Sequence, residues 1–311
     1  PVGFIKPQDA LRMAESVVKL QRDYGDRTNR QHARLKYVME ERGTPWVQQE
    51  LATYFGAEIA APRSITTWDI EDHMGWHSQG DGKYFLGIPI PSGRIIDIEG
   101  GIYDGAAYRA GLREVINQYK MPLVLTVDQN IILADIEASE RENIENILHK
   151  HNIRLTEEIT PLARHFHACV SLPTCGKALA ESERVEIPLV DQLNILFAKL
   201  GLKDDEIAVR IAGCPNGCSR PYPAEIGIIG RMPGKYVLWI GGDFHGTRLG
   251  KELFDKVPLE QITTALEPLL LRYKAERTQG EFFGDYVQRI GVESLKADAI
   301  IALGADYKWA A

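Results

Sequence analysis

Residues 167–184 read "HACVSLPTCGKALAESER" and residues 213–220 read "GCPNGCSR". The two stretches hold Cys169, Cys175, Cys214 and Cys218, all four cysteines of a 311-residue chain. Cysteines that only fill core space have no reason to gather, because a thiol packs as a small hydrophobe wherever there is room. Here they form a C-x5-C pair and a C-x3-C pair within one region. What draws them together decides how the surrounding sequence is read.

Four accounts compete. Structural disulfides belong to oxidising compartments and small secreted domains, and this is a long chain whose first residues, "PVGFIKPQDALRMAES", lack the basic-then-apolar order of a leader. Structural zinc usually takes C-x2-C pairs, tighter than either pair here. Incidental burial leaves the pairing unexplained. An iron–sulfur cluster fits best, since four soft thiolates can each take one iron of a cubane. In "GCPNGC", Gly213 and Gly217 permit sharp turns, Asn216 adds a polar group, and backbone N–H groups are free to face anionic sulfur. Pro215 fixes the turn that presents Cys214.

Outward from these pairs the chain alternates helix and strand patterns. Residues 7–25, 30–43 and 44–56 read as three helices, the last with Thr44 as N-cap and Pro45 in the first helical position. From Ile59 to Gly100 short β-like runs take over, notably "KYFLGIPIP" (83–91) and "RIIDI" (94–98). A helix over 106–119, strands over 123–128 and 130–136, and a helix over 138–151 follow. In the cysteine region, 176–185 and 190–201 read as helical and 206–213 as a strand running into Cys214. Residues 224–242 read as a hairpin through "MPGK", with a loop longer than the tightest turns, and helices over 259–277 and 283–291 complete the pattern. The order predicts an α+β protein, a mixed or antiparallel sheet covered by helices.

Composition is ordinary for a globular chain: 44% hydrophobic and 25% charged. A formal net charge of −7 argues against general nucleic-acid binding, which needs a basic surface. No apolar run is long enough to span a bilayer, so no membrane partner is expected and a cytoplasmic setting is, or a plastid in a plant.

At this point the motifs become recognisable. "ACVSLPTCGKALAESER" with "GCPNGCSRPYPAEIGIIG" resembles the sirohaem and [4Fe–4S] motifs of the sulfite and nitrite reductase family, nearest to its assimilatory sulfite reductase haemoproteins. The likeness extends through "QRDYGDRTNRQHARLKYVMEERG", "VDQNIILADI", "LWIGG" and "GDYVQRIG", almost the whole chain. It implies the C-terminal module of the sulfite/nitrite reductase fold: a ferredoxin-like repeat with N-terminal helices over 1–135, and a sirohaem- and cluster-binding domain over 136–311. It implies that Cys169, Cys175, Cys214 and Cys218 hold the cluster, and that Cys218 also ligates the sirohaem iron. The implied reaction is the six-electron reduction of sulfite to sulfide, with ferredoxin or a flavoprotein as donor.

Nitrite reductases of the family resemble a version with "GCPNSC" and an "ACTGxxFC"-like first pair. Here Gly217 precedes Cys218 and the first pair encloses "VSLPT", as in sulfite reductases. A nitrite reductase, or a non-catalytic iron–sulfur electron-transfer half-module, is the alternative. The many carboxylates of sirohaem call for cations, for which arginine's fork is suited. Arg27, Arg30, Arg34 and Lys36 supply them in "DRTNRQHARLK", Arg30 and Arg34 four apart on one helix face by the reading above. Gln129 and Asn130, in "VDQNIIL", resemble a strand end facing the cofactor. The family's substrate-binding arginines and lysines lie largely in an earlier module, expected to come from a missing N-terminal part or a partner chain. His165 and His167 are read as packing residues, His73 and His77 as a weak zinc-like spacing, and "GGIYDG", "GGDFHG" and "PSGR" as turns.

Overall fold

The structure, a computed structural model, describes residues 1–63 and 72–304. It divides into two compact units, Pro1–Asp69 and Ile70–Ala311. The boundary expected at 135 falls inside a strand of the second unit.

The first unit holds α1 (Ala10–Tyr24), α2 (Leu35–Arg42) and α3 (Thr44–Phe55) around a core of Leu20, Val38, Val47, Leu51, Phe55 and Ile59. Glycines end α2 and α3 at positive φ, 79° at Gly43 and 75° at Gly56. Gly43 also caps α3, so Thr44 is its first helical residue and not its N-cap. The helix expected over 30–43 starts only at Leu35, so Arg30 and Arg34 do not share a helix face. Asp26 Oδ1 accepts the N–H groups of Thr28 and Asn29, and Asn29 Oδ1 that of Gln31, so side chains hold this stretch in turns that compete with helix.

The second unit contains two sheets. β1 (Gly75–Ser78), β2 (Tyr84–Ile88), β3 (Leu123–Leu125) and β4 (Ile131–Ile136) form an antiparallel sheet in the order β1-β2-β4-β3. It packs on α4 (Tyr108–Tyr119) and α5 (Arg141–Lys150) through Leu86, Ile88, Leu112, Val115, Leu133, Ile144 and Leu148. The run "RIIDI" joins no ladder; its one pairing is an isolated bridge, Asp97 with Ala107. His77 lies in β1, stacked on Phe85 at 4.8 Å, so the His73–His77 spacing is not helical.

After α6 (Pro161–Arg164) come β5 (Phe166–Ala168), α7 (Glu183–Leu200), β6 (Val209–Ala212), β7 (Ile226–Met232), β8 (Lys235–Ile240) and β9 (Lys251–Pro258). These strands form a mixed sheet in sequence order, β5-β6-β7 parallel and β7-β8-β9 antiparallel. α8 (Ile262–Glu276), α9 (Phe283–Ile290) and α10 (Val292–Leu303) follow. Strand alternation sends Phe166, Ala168, Val209 and Ile211 into the core with Leu193, Phe197, Leu266 and Leu269, while His167 and Arg210 face the other side. The β7–β8 loop is the two-residue Pro233–Gly234, tighter than expected, because Met232 pairs directly with Lys235 and Gly234 takes φ 69°.

The helix expected over 176–185 begins only at Glu183. Two of its backbone donors are committed elsewhere, Leu179 and Ala180 N–H to Gly213 O. A strand end 34 residues or so further on has replaced the helical partners.

Candidate metal centre

The parallel register sets Ala168 beside Ile211, so Cys169 leaves β5 one residue past its end while Cys214 lies two residues past β6. Both cysteine loops therefore emerge at the same edge of the sheet. Cys169 N–H continues the ladder to Ile211 O at 3.1 Å and also reaches Ser182 Oγ at 3.1 Å. Ser182 Oγ donates to Ile211 O at 2.9 Å, and Ser219 Oγ donates to it at 2.7 Å. One carbonyl thus ties the start of the first loop, the entry to α7 and the end of the second loop. Ser182 is fully buried, so its hydroxyl serves this junction alone.

Gly213 is the second junction. Its N–H points at Cys169 Sγ at 3.2 Å, and its carbonyl accepts from Leu179 at 2.8 Å and Ala180 at 3.0 Å. A Cβ there meets Ser171 Oγ at 2.0 Å, so glycine is required by close approach. Gly217 is required by backbone angle, φ 62°, in the turn that carries Asn216 between Cys214 and Cys218. Tyr222 Oη donates to Pro215 O at 2.8 Å and braces that turn.

All four thiols are free. Cys214 is buried, Cys169 and Cys175 are half-buried and Cys218 is exposed. Desolvation pushes the Cys218 thiol up, with negative charge on Cys169, Cys214 and Cys175 adding to it. A thiol raised in this way keeps its proton until a cationic centre takes the proton's place. Among the described residues, no three His, Cys, Asp or Glu side chains close on one point as a single-ion site requires. Four soft sulfur donors on two clamped loops suit iron–sulfur chemistry.

The family model for the "Nitrite and sulphite reductase 4Fe-4S domain" matches residues 1–59 and 163–305, which include all four cysteines. The chain belongs to the nitrite and sulphite reductase family. A second model, the family's ferredoxin-like half domain, matches residues 77–151, the span of the four-stranded sheet and its two helices. Among curated relatives, "Sulfite reductase [ferredoxin]" of Synechococcus elongatus is 40% identical over 95% of this chain and 47% of its own length. The "Sulfite reductase [NADPH] hemoprotein beta-component" of Myxococcus xanthus is 42% identical over 93% and 51% respectively. The chain spans about half the length of the curated relatives it matches. The fold is that of the Mycobacterium tuberculosis NirA protein, with TM-score 0.78 at 22% identity, covering 94% of this chain and 54% of that one.

For this member of the nitrite and sulphite reductase family, the other sequence candidates occupy varied places. Gln129, at φ 68°, donates its amide to Ala168 O at 2.9 Å, one residue before Cys169. Asn130 is buried and its Oδ1 accepts Ile90 N–H at 3.0 Å. Asn216 is exposed beside Cys218. Arg27, Arg30, Arg34 and Lys36 are exposed in the first unit; Arg27 donates to Arg22 O, and Lys36 lies over the Tyr37 ring. His167 is held neutral, pushed down to about 4 by burial and by Arg210. His165 is lowered by burial and meets Phe244 edge-on at 4.8 Å.

Sequence reasoning missed Ser182 and Ser219. Both stand in the quoted motifs, but a hydroxyl's partner 29 or 8 residues away leaves no periodic trace. No helix among the described residues is long and apolar enough to cross a membrane.

Proposed function

We propose that this chain is the cofactor-bearing half of a sulfite reductase, holding a [4Fe–4S] cluster on Cys169, Cys175, Cys214 and Cys218 and sirohaem through Cys218. The observation that carries the reading is the pair of cysteine loops delivered to one sheet edge and clamped together at Ile211 and Gly213. When bound, the coupled centre supplies stored electrons and an iron site for the anion.

The chain's own contributions follow from geometry. Gly213 N–H donates to the Cys169 sulfur, which stabilises the thiolate and the anionic cluster it would hold. Cys218 stands exposed on a turn of fixed shape, which leaves its sulfur open to a second ligand sphere. Asn216 flanks it, and Gln129 supports the strand end before Cys169. Arg30, Arg34 and Lys36, together with Gln129 and Asn130, are the assigned partners of the macrocycle's carboxylates.

Sulfite, reduced to sulfide with six electrons, is assigned as substrate because the curated relatives at 40–42% identity carry that name. Gly217 in the second pair favours the same choice. Those names carry ferredoxin or NADPH, which supports ferredoxin or a flavoprotein as the donor in this reading. Substrate-binding cations belong to the length of the relatives that this chain does not span. A cytoplasmic setting goes with this assignment.

The test is anaerobic reconstitution with iron, sulfide and sirohaem. The expected result is about four iron atoms per chain from the cluster, one more from sirohaem, and Soret and red absorption bands. A broad shoulder alone leaves an iron–sulfur half-module. A chain that retains zinc and no iron refutes the reading. Turnover of the full-length enzyme with sulfite against nitrite decides the substrate.

A further inference from the structure

His167 and Arg210 are direct register partners on neighbouring parallel strands, on the sheet face away from the helical core. They line a cavity of about 130 Å³ next to the cysteine edge, which Arg220, two residues past Cys218, also lines. Its charges do not balance. Arg164 is matched by Asp72, which leaves Asp128 facing both Arg210 and Arg220. Asp128 lies 4.0 Å from the His167 ring, and no carboxylate among the described residues comes within ion-pair distance of Arg210. Arg210 Nε and His167 Nδ1 are buried without a hydrogen-bond partner, while His165 Nε2 lies 3.5 Å from Glu206 Oε1.

A mostly buried guanidinium with an unmet N–H is costly unless something anionic meets it. The cost is visible in Arg210 itself, whose pKa is lowered by desolvation and by the neighbouring Arg220. Water satisfies a hydrogen bond but not the charge, and the space is enough for roughly four waters at about 30 Å³ each, or one small anion.

We propose that this cavity is an oxyanion subsite, in which Arg210 and the rim residue Arg220 hold the oxygens of a small inorganic oxyanion or of a carboxylate on a bound tetrapyrrole. The fork of Arg210 offers paired N–H groups to either, and the unmet Nδ1 of His167 supplies a further contact. The carboxylate source rests on the sirohaem reading above; the inorganic source does not.

Inorganic sulfate is the probe, titrated against the unloaded chain at constant ionic strength with chloride as counterpart, and thermal unfolding is the readout. Sulfate is expected to raise Tm saturably where chloride does not. Arg210→Gln is expected to weaken the apparent affinity roughly tenfold to 100-fold, the worth of one charged hydrogen-bonding contact. Should Arg210→Gln fail to fold, Arg220→Gln at the exposed rim carries the test, with a several-fold loss expected.

In the sirohaem-loaded chain, persistence of the sulfate effect assigns the site to a free oxyanion. Its disappearance, with weaker sirohaem retention in Arg210→Gln, assigns the site to a carboxylate of the macrocycle. No sulfate-specific shift in the unloaded chain, or equal affinity in the wild type and both variants, overturns the proposal. Iron content and the Soret band are read on the same samples. Loss of the band with sulfate binding intact therefore sinks the sirohaem reading and leaves this one standing.

Discussion

Gly213→Ala tests the clamp between the cysteine loops. The added methyl would sit 2.0 Å from Ser171 Oγ, 2.7 Å from Ala180 O and 2.8 Å from Ser171 Cβ, where ordinary contact begins at 3.4 Å. Ser171 or Gly213 must therefore move by about 3.4 − 2.0 = 1.4 Å. Ser171 is buried, its hydroxyl donates to Ala180 O, and its carbonyl holds Cys175 N–H at 2.7 Å, so the displacement passes directly to a cysteine. Overpacking of this kind costs about 1–3 kcal/mol. Losing the two hydrogen bonds from Leu179 and Ala180 to Gly213 O adds about 0.5–1.5 kcal/mol each. The sum, about 2–6 kcal/mol, is a large part of the stability of a typical domain. The assay is thermal unfolding of the unloaded chain together with iron and sulfide content after reconstitution. A Tm lowered by roughly 4–20 °C is expected, with cluster content below half of wild type. Gly176→Ala is the control, since that site lies in the same loop, has ordinary φ and meets nothing within 4 Å. Gly213→Ala with wild-type iron content and an unchanged Tm would refute the clamp.

Three further outcomes are expected. Ser182→Ala removes the hydroxyl shared by Cys169 N–H and Ile211 O, of which the first keeps one other partner and the second two; a loss of about 1–2 kcal/mol in unloaded stability is expected, measured by urea unfolding. Cys218→Ser is expected to abolish the Soret band on reconstitution while unloaded Tm stays within a degree or so, because the side chain is exposed. Glu186 is buried and pushed up to about 8, chiefly by desolvation, while its carboxyl holds Ser92 N–H and hydroxyl. A raised carboxyl pKa gives stability that is full below the ordinary value near 4.3 and is lost as pH rises through 8. Glu186→Gln, neutral throughout, is expected to remove that slope between pH 5 and 9 in Tm-against-pH curves.

The two cysteine pairs and the strand entering Cys214 were legible because both announce themselves locally, by residue type and by β-branched alternation. Helices α1, α4, α5 and α8, and the second half of α7, were legible for the same reason, as periodic apolar faces. What escaped depends on distant partners. Residues 176–182 have helical composition, yet the N–H groups of Leu179 and Ala180 are taken by Gly213 O at the end of another strand. Residues 30–34 look continuous with α2, yet the turns begun at Asp26 and Asn29 run into them, Asn29 Oδ1 holding Gln31 N–H. Strand β9 and helix α10 went unread, β9 because alternating charges in "KELFDKVP" mask its buried Leu253, Phe254 and Val257. The Arg210 cavity was invisible because only strand register sets that residue beside His167.

The parallel pairing of β5 with β6 has a consequence for assembly. Cys169 and Cys214 are separated by a long crossover containing α7, and nothing local brings them near each other. Parallel strands joined by such a crossover pair late, since the whole loop must close before any contact rewards it. A partly made or partly folded chain thus has thiols but no nest for metal. On the proposed ligand set, cluster assembly would follow the closing of that crossover, and iron offered earlier would meet only scattered sulfur.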